Sequence, residues 1–275
     1  MNVSVVIVSY RTPDLLRQCL NSLESEAPDV RDIIVVDNAS GDNTQRVLQQ
    51  EFPHVKRIAS RVNAGFSRGV NWGLANAKNE FVLILNPDIL LHPGSLQKLY
   101  DEICAEPRIG LIAPKLVNPD NSLQLSCLRW QTPGLVLYRR TPLGKTSVGK
   151  RSLDEFQMRS YGHEEPRDVD WVIGGCMLVR KSAVDEIGSM DERFFMYFED
   201  MDWCRRLWQN GWRVRYEPRS VMTHHHQRLS GTKPGLRGLL NPLGRVHLKS
   251  GLKYFAKHLG NGRSLNKMQA DLIDK

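Results

Sequence analysis

The sequence lacks any apolar segment of the ~20 residues that a helix needs to cross a bilayer. Its first ten residues, MNVSVVIVSY, are apolar but have no basic leader and turn polar at Ser9, so they predict a buried strand and not a signal peptide. Cysteine is scarce: five residues are widely spaced without a close pair, which argues against a disulfide framework and a zinc site. These absences predict a cytoplasmic protein in a reducing compartment.

Two phosphate-binding motifs are also missing. No Gly-x-x-x-x-Gly-Lys-Ser/Thr loop occurs and no Gly-x-Gly-x-x-Gly follows the first predicted strand, so neither a P-loop NTPase nor a dinucleotide enzyme is supported. The net charge of +8 favours an anionic partner such as nucleic acid, acidic lipid or a phosphorylated small molecule. Because no nucleic-acid-binding module is recognisable, we expect no nucleic-acid partner.

Buried strands alternate with helices along the first 90 or so residues. The predicted strands cover residues 3–9, 33–36, 55–59 and 81–85. Their continuous apolar runs predict a parallel sheet with helices on both faces. Ligands bind such sheets beyond the carboxyl ends of the strands, where Ser9, Asp37 and Asp88 fall. These polar strand ends are therefore expected to face one crevice.

The rest of the chain is less regular. Residues 118–166 contain prolines and a basic stretch, and they predict a long loop or lid. Residues 171–179 predict a strand interrupted by glycines, and residues 199–210 predict a helix that ends before Gly211. The sequence therefore predicts a second packed region after the lid.

After about residue 231 the sequence predicts a basic amphipathic helix over residues 242–259. One stripe of this helix consists of Leu248, Leu252, Phe255 and Leu259. Another consists of Arg245, Lys249, Lys253 and Lys257. Such a helix can dock on an anionic membrane surface, or it can pack on its own domain or on a second subunit.

Two acidic motifs could carry chemistry. Asn86-Pro87-Asp88 follows a hydrophobic strand, so Asp88 could bind a hard divalent cation, although Asp beside Pro is also ordinary turn chemistry. Glu199, Asp200 and Asp202 begin a helix directly after an aromatic run. One of them could act as a general base, or all three could serve the helix dipole and ion pairs with arginine.

Two further motifs could bind a metal or an anion. His224 begins a run of three histidines after a predicted short strand, where an imidazole could complete a metal site or could be structural. Asn63-Ala64-Gly65-Phe66-Ser67-Arg68 opens a helix, and its backbone amides and Arg68 suit an anion. Asn and Gly are equally typical of an ordinary helix start.

These motifs, in this order over about residues 3–230, resemble the inverting glycosyltransferase family two, especially its rhamnosyltransferase-like branch. The matching segments are VVIVSY, VVDNASGD, RVNAGFSRGVNWG, LILNPD, WVIGGCMLVRK, FFMYFEDMDWCRR and EPRSVMTHHH. The resemblance implies a GT-A fold: an α/β, mostly parallel, Rossmann-like sheet flanked by helices, with a basic helical C-terminal appendage. It further implies a nucleotide-sugar half over residues 1–115, an acceptor half over 116–230 and an appendage over 231–275.

The implied reaction is the transfer, with inversion, of rhamnose or another hexose from a dTDP- or UDP-linked sugar to a hydroxyl group. The acceptor would be a glycan or lipid-linked glycan in cell-surface polysaccharide biosynthesis. The protein would then work in the cytoplasm or peripherally at the inner face of the cell membrane, and it could form a homo-oligomer.

The resemblance also implies roles for particular residues. The nucleotide-sugar would be bound by Ser9, Tyr10, Asp37, Asn63, Arg68, Asn86 and Asp88. A divalent cation, Mn²⁺ or Mg²⁺, would be held by Asp88 and by His224, which fits the metal-proximal position better than the histidines after it. The general base would be Asp200, with Glu199 beside it. The acceptor pocket would be formed by Trp171, Gly174, Gly175 and Glu199.

One position departs from the family pattern, because Asn86 stands where the common Asp-x-Asp motif has its first Asp. We expect weaker metal binding from one charge fewer, and this departure leaves open a non-catalytic relative that binds a nucleotide-sugar or glycan. A sugar-phosphate nucleotidyltransferase is a second alternative. It should show a glycine-rich basic loop after the first strand, which the segment SYRTP does not provide.

Overall fold

The computed structural model describes residues 1–225 and 242–259, and its first half has the strand–helix alternation that the sequence predicts. The first four strands are β1 (Val3–Ser9), β2 (Asp32–Asp37), β3 (Lys56–Ala59) and β4 (Phe81–Leu85). They pair in parallel in the order β3-β2-β1-β4. The helices are α1 (Pro13–Glu26), α2 (Thr44–Gln50) and α3 (Phe66–Leu74). Alternate residues of β1 pack against α1 on one face and α3 on the other, so the strand is buried throughout.

The next elements extend this sheet beyond β4. They are β5 (Ile89–Leu91), α4 (Ser95–Ala105), β6 (Ile109–Val117), β11 (Cys176–Arg180), α7 (Lys181–Ile187), α8 (Glu199–Gln209) and β12 (Arg213–His224). The main order is β3-β2-β1-β4-β11-β6-β12-β5. β11 is antiparallel to β4 and β6, and β5 is antiparallel to β12. The mostly parallel α/β prediction is confirmed, with these strands making the sheet mixed.

The prediction of one strand over residues 171–179 is wrong. Gly174 and Gly175 form a turn between β10 (Trp171–Val172) and β11. β10 pairs with β8 (Cys127–Leu128) in a separate two-stranded sheet, whereas β11 lies within the main sheet. The glycines therefore mark a change of sheet and not an irregular strand.

The prediction of a loop over residues 118–166 is also wrong, because this region contains ordered elements. They are β7 (Leu123–Gln124), β8, α5 (Pro133–Arg140), a 3₁₀ helix (Pro142–Lys145) and α6 (Ser147–Phe156), with β9 (Arg167–Asp168) just beyond. The Thr146 hydroxyl caps α6 by accepting from the Gly149 N–H, and Leu128, Leu135 and Phe156 form a small core. The region lines a cavity of about 860 Å³.

Two glycines bring α3 close to the sheet. A Cβ atom at Gly73 would lie 2.1 Å from a methyl carbon of Val6, and one at Gly69 would lie 2.7 Å from Val8. Any larger residue at these two positions would push the helix outward. The close approach sets the N-terminus of α3 beside the carboxyl ends of β1 and β2.

The predicted C-terminal helix is present as α9 (Pro242–His258), but neither of its two predicted stripes is the main packing face. The buried face consists of Gly244, Ser250, Gly251 and Tyr254. Leu248 is 44% exposed and Leu252 is 64% exposed. Within residues 1–225 and 242–259, no helix is long and apolar enough to span a membrane. The predicted boundary near residue 230 and His226 lie outside the described residues.

Candidate active site

The carboxyl ends of β1 and β2 bring the first predicted binding residues together. Ser9 and Asp37 are partners in the parallel register, and both are buried. The Asp37 carboxylate accepts hydrogen bonds from the Ser40 backbone N–H (2.9 Å) and from Gln45 (2.6 Å), which fixes the turn after β2. Tyr10 is 39% exposed at the same edge, so its ring is available to a ligand.

Asn38 was not predicted as a site residue, yet it fixes the predicted Asn63 loop. Its amide donates to Asn63 Oδ1 (3.0 Å) and to the Gly65 carbonyl (3.1 Å), and its Oδ1 accepts from the Ala64 N–H (2.8 Å). Its position directly after Asp37 in VVDNASGD was the signal that could have identified it. The loop is therefore attached to the end of β2. Arg68, at the start of α3, instead forms an ion pair with Glu192 (2.8 Å).

Asp88 and His224 lie side by side because β5 and β12 pair next to them. His224 Nε2 is 3.4 Å from Asp88 Oδ2, and the other carboxylate oxygen, Oδ1, is buried without a hydrogen-bond partner in the described chain. His224 Nδ1 lies 2.9 Å from the amide oxygen of Gln124, so the ring carries its proton on Nδ1. Nε2 is then the ring nitrogen that faces Asp88, on the side where a cation ligand would lie.

This pair fits a divalent cation that takes its other ligands from a substrate or from water. Among the described residues, no third His, Cys, Asp or Glu completes a protein-only site. Hard cations bound to diphosphates commonly use only one or two carboxylates from the protein. Gln124 orients His224 but was not predicted, because it lies in the segment that was interpreted as a lid.

The Gly174–Gly175 turn joins the predicted base to the Asp88–His224 pair. The Gly174 N–H donates to Asp200 Oδ2 (3.0 Å), and the Gly175 carbonyl accepts from the Asn86 N–H (2.8 Å). A Cβ atom at Gly175 would lie 3.5 Å from His224 Cε1. This two-residue turn thus contacts the predicted general base (Asp200), a predicted donor-binding residue (Asn86) and a predicted metal ligand (His224).

At the N-terminus of α8, Glu199 is buried and Asp200 is half-buried. Burial raises the pKa of Asp200 to about 6, and burial together with the charge of Asp200 raises the pKa of Glu199 to about 8. Asp200 keeps the lower value because the Gly174 and Met201 N–H groups donate to its two oxygens. Burial and mutual repulsion thus favour a single negative charge on the pair, and the two backbone donors favour its location on Asp200, which is the state that a general base requires.

The turn before α8 has a strained backbone. Tyr197 and Phe198 adopt φ angles of 72° and 70°, a conformation that side chains other than glycine rarely take. Each such residue costs roughly 1–3 kcal/mol and persists only where the surrounding structure requires it. The turn leads directly into α8, where Asp200 contacts the Gly174 N–H.

The remaining predicted residues are placed around this centre. The Trp171 indole donates to the Arg129 carbonyl (2.7 Å), and its ring centre lies 6.4 Å from that of Phe156, which lines the large cavity. Asp202 lies outside the site: it is fully buried and pairs with Arg206, Lys257 and His258. Of the three acidic residues at this helix start, Asp200 contacts the Gly174–Gly175 turn and Asp202 belongs to an ion-pair network with α9.

Comparison with known proteins identifies sequence relatives over most of the chain. The family described as "Glycosyl transferase family 2" matches residues 4–188. The N-acetylglucosaminyl-diphospho-decaprenol L-rhamnosyltransferase of Mycobacterium tuberculosis H37Rv is 30% identical over 251 residues, which cover 84% of this chain and 78% of that protein. Rhamnosyltransferase WbbL of Escherichia coli K12 is 27% identical over 268 residues, which cover 93% of each chain.

Solved structures share the fold at low sequence identity. GalNAc-T7, crystallised with UDP, GalNAc and Mn²⁺, superposes with a TM-score of 0.62 at 16% identity, covering 98% of this chain and 54% of its own. Residues 1–349 of Staphylococcus aureus TarS, in complex with UDP-GlcNAc, give a TM-score of 0.58 at 17% identity, covering 85% and 61%. These likenesses confirm the predicted fold.

Proposed function

The chain belongs to glycosyltransferase family 2, and from that premise we propose that it transfers rhamnose or another hexose, with inversion, from a nucleotide-diphosphate sugar to a glycan or lipid-linked glycan. The observation that carries the proposal is the Gly174–Gly175 turn, which connects Asp200 with the Asp88–His224 pair. The chemistry of transfer needs a base and a diphosphate-binding centre at one place. Rhamnosyl transfer is favoured by the two relatives that are named rhamnosyltransferases.

Asp200 is the proposed general base. It would take the proton of the acceptor hydroxyl as the hydroxyl oxygen attacks the anomeric carbon and the bond to the diphosphate breaks on the opposite face. The two backbone N–H groups that it accepts hold its carboxylate in one orientation. Glu199, which is protonated at neutral pH, would donate a hydrogen bond at the acceptor side.

Asp88 and His224 would hold Mn²⁺ or Mg²⁺, since one Asp88 oxygen is buried without a partner in the described chain and the other lies 3.4 Å from the imidazole Nε2 of His224. The cation would neutralise charge on the departing diphosphate. The protein would orient His224 through Gln124 and Asp88 through the hydrogen bond between the Asn86 N–H and the Gly175 carbonyl. Mn²⁺ in the GalNAc-T7 crystal structure supports this assignment by analogy of fold.

The nucleotide would lie across the ends of β1 and β2. Tyr10 offers an exposed ring, and Asp37 and Asn63 are held in fixed turns beside it. Arg68 would have to leave Glu192 to reach the diphosphate, and its 48% exposed side chain is free to do so. The neighbouring structures contain UDP or a UDP-sugar, and the mycobacterial relative is named a rhamnosyltransferase. UDP and dTDP are therefore the two nucleotides to test.

The acceptor would enter past Trp171, with its distal part in the cavity beside α5 and α6. Aromatic side chains and two arginines line this cavity: Trp130, Tyr138, Phe156, Tyr161, Arg129 and Arg167. Rings and guanidinium groups suit sugar faces and a phosphate, respectively. The lipid-linked substrate in the name of the mycobacterial relative supports such an acceptor.

The outer face of α9, defined by Arg245, Leu248, Lys249 and Leu252, would rest on an anionic membrane surface. All four residues are exposed, and no ion pair engages the two cations within the described residues. Exposed leucines between basic residues are the pattern of an interfacial helix. This placement would bring the site to a lipid-linked acceptor at the inner face of the membrane.

The test is release of nucleoside diphosphate from a panel of UDP- and dTDP-sugars, with a lipid-linked acceptor and with Mn²⁺, Mg²⁺ or chelator. We expect turnover of one donor, a loss of ~100- to 10,000-fold in Asp200→Asn with donor binding retained, and loss of donor binding in Asp88→Ala. Asp185→Asn, an exposed carboxylate on α7, is the control. Donor binding without turnover in the wild type would instead support a non-catalytic binding protein.

A further inference from the structure

Helix α9 runs antiparallel to the irregular segment 191–198, which leads to the catalytic carboxylates. Its side chains donate hydrogen bonds to that segment at intervals of about one helical turn. The pairs are Lys257 Nζ with Asp191 Oδ2 (2.8 Å), Lys253 Nζ with the Arg193 carbonyl (2.6 Å) and Ser250 Oγ with the Met196 carbonyl (2.9 Å). The segment itself contains no helix or strand, so these bonds supply partners that secondary structure would otherwise provide.

The same helix covers the strained turn at Tyr197 and Phe198. A Cβ atom at Gly251 would lie 3.1 Å from Phe198 Cζ, so any side chain at this position would push the Phe198 ring away from the helix by a few tenths of an ångström or more. The Phe198 ring centre is 5.6 Å from that of Tyr254, and the Tyr197 ring centre is 5.2 Å from that of His247. Two consecutive left-handed residues are thus held under one helix face.

The C-terminal turn of α9 also contacts the first turn of α8. Lys257 lies 2.7 Å from Asp202 Oδ1, and His258 Nε2 lies 2.9 Å from the same oxygen. Burial works against the charge of Asp202, but the hydrogen bonds from His258 and Lys257 and the charge of Arg206 outweigh it and hold its pKa below the usual range. Asp202 is two residues from Asp200, so α9 fixes both ends of the turn that carries the base.

We propose that α9 is a positioning element for the transfer reaction: through Ser250, Gly251 and Tyr254 it holds the Tyr197–Phe198 turn in the conformation that directs Asp200 to the Gly174 N–H. This inference rests on the proposed role of Asp200. A left-handed turn relaxes when its cover is removed, and relaxation would displace the carboxylate from the reacting centre. None of these three residues touches the substrate site, so they act through the turn.

Substitution of Gly251 by side chains of increasing size tests the proposal. Gly251→Ala and Gly251→Leu should lower kcat progressively, on the order of 100-fold for Leu, because a displacement of about 1 Å at the reacting centre has that effect. The KM for the nucleotide-sugar should stay within about twofold, since Gly251 and Tyr254 contact the Phe198 ring and not the residues proposed to bind the donor. Ala256→Leu, which adds a similar side chain to an exposed position of the same helix, is the matched control.

Hydrogen exchange of residues 196–202 gives a readout that does not depend on activity. In the wild type the Asp202 N–H donates to the Phe198 carbonyl (2.8 Å). This amide should exchange at least tenfold faster in Gly251→Leu, whereas its exchange rate should not change in Ala256→Leu. Unchanged exchange and unchanged kcat in Gly251→Leu would overturn the proposal. An inactive wild type with faster exchange in Gly251→Leu would reject the proposed function while leaving the structural role of α9 supported.

Discussion

Glu199 and Asp200 are adjacent in sequence but differ in what their oxygens contact. Both Asp200 oxygens accept a backbone N–H, whereas Glu199 Oε2 is buried without a partner among the described residues. Backbone donors favour the charged form of a carboxyl group, whereas full burial and the charge of a neighbouring carboxylate favour the neutral form, as they do for Glu199. The two carboxyl groups are therefore suited to different tasks: Asp200 to accept a proton and Glu199 to donate a hydrogen bond.

The pH dependence of turnover follows from this difference. Because burial raises the pKa of Asp200 to about 6, activity should fall as the pH drops through about 6 and the base becomes protonated. Activity should also fall as the pH rises through about 8, where Glu199 ionises beside it. In Glu199→Gln the acidic limb should stay in place and the alkaline limb should disappear. Profiles of kcat/KM from pH 4.5 to 9.5 check this, and an unchanged alkaline limb in Glu199→Gln would contradict it.

Gln124 offers a test of the metal ligands that leaves them in place. Gln124→Met removes the acceptor for His224 Nδ1, so the Mn²⁺ concentration for half-maximal activity should rise by about 10- to 100-fold. The activity at saturating Mn²⁺ should recover most of the wild-type value. Gln97→Met, at an exposed position on α4, is the control. A lower kcat with an unchanged Mn²⁺ requirement would mean that Gln124 shapes the pocket and does not tune a metal.

At the scale of single residues, the sequence alone identified residues that follow strands or begin helices, such as Asp37, Asp88 and Asp200. Their positions follow from local rules on strand ends and helix starts. Gln124 could not be identified in this way, because it reaches His224 across 100 residues of chain. Contacts of that kind depend on the pairing of β7 with β6, which no local pattern encodes.

At the scale of elements, α9 shows how small residues decide packing. The helix turns Gly244, Ser250 and Gly251 inward and leaves Leu248 and Leu252 in solvent. A hydrophobicity pattern predicts the opposite choice, because leucine buries more apolar area than glycine. Here the Phe198 ring lies against the helix and needs space, so the face with the small residues packs against it. The existence of the helix was predictable, whereas its orientation depended on a partner distant in sequence.

The exposed leucines make the membrane proposal testable. A Leu248→Asp, Leu252→Asp double variant should bind vesicles containing phosphatidylglycerol at least about tenfold more weakly, because two apolar side chains no longer enter the interface. Sedimentation with vesicles measures the bound fraction. Val62→Asp, which changes a 67% exposed apolar residue elsewhere, is the control. Equal binding of all three proteins would exclude the outer face of α9 as the docking site.

The strands that sequence predicted best are those with a continuous local apolar pattern. β1, β2 and β4 are continuous apolar runs followed by polar residues, so their ends were identified within a residue or so. The direction of β11 and its insertion between β4 and β6 could not be predicted, because a short buried strand has the same composition in either direction. The cap at Thr146 was the missed sign that the 118–166 region contains helices.

At the scale of the whole molecule, residues 190–196 connect α3 with α9. On one side, the Phe66 N–H and the Ser67 hydroxyl donate to the carbonyls of Phe195 (2.8 Å) and Phe194 (2.7 Å). On the other side, the segment meets α9. A ligand that binds beside α3, as we propose for the nucleotide-sugar, should therefore stabilise α9 in the same transition.

Ligand binding should thus raise the melting temperature in a single cooperative step. A nucleoside diphosphate with Mn²⁺ at about 100 times its Kd stabilises the fold by ~2.7 kcal/mol, which for a chain of this size is a rise in Tm of about 5–10 °C. Scanning calorimetry with UDP and dTDP separately would identify the base. Chelator and Asp88→Ala should each abolish the shift. Two separate transitions would show that the regions joined by residues 190–196 unfold independently.

The contacts between α9 and the segment 191–202 also impose an order on synthesis. The segment leaves the ribosome before residues 242–258 exist, and at ~5–20 residues per second the interval is roughly 3–11 seconds. Throughout that interval Phe194 and Phe198, both almost fully buried in the finished protein, lack the helix that covers them. The nascent chain therefore passes through a stage with an exposed aromatic surface, a stage at which a chaperone would be expected to bind.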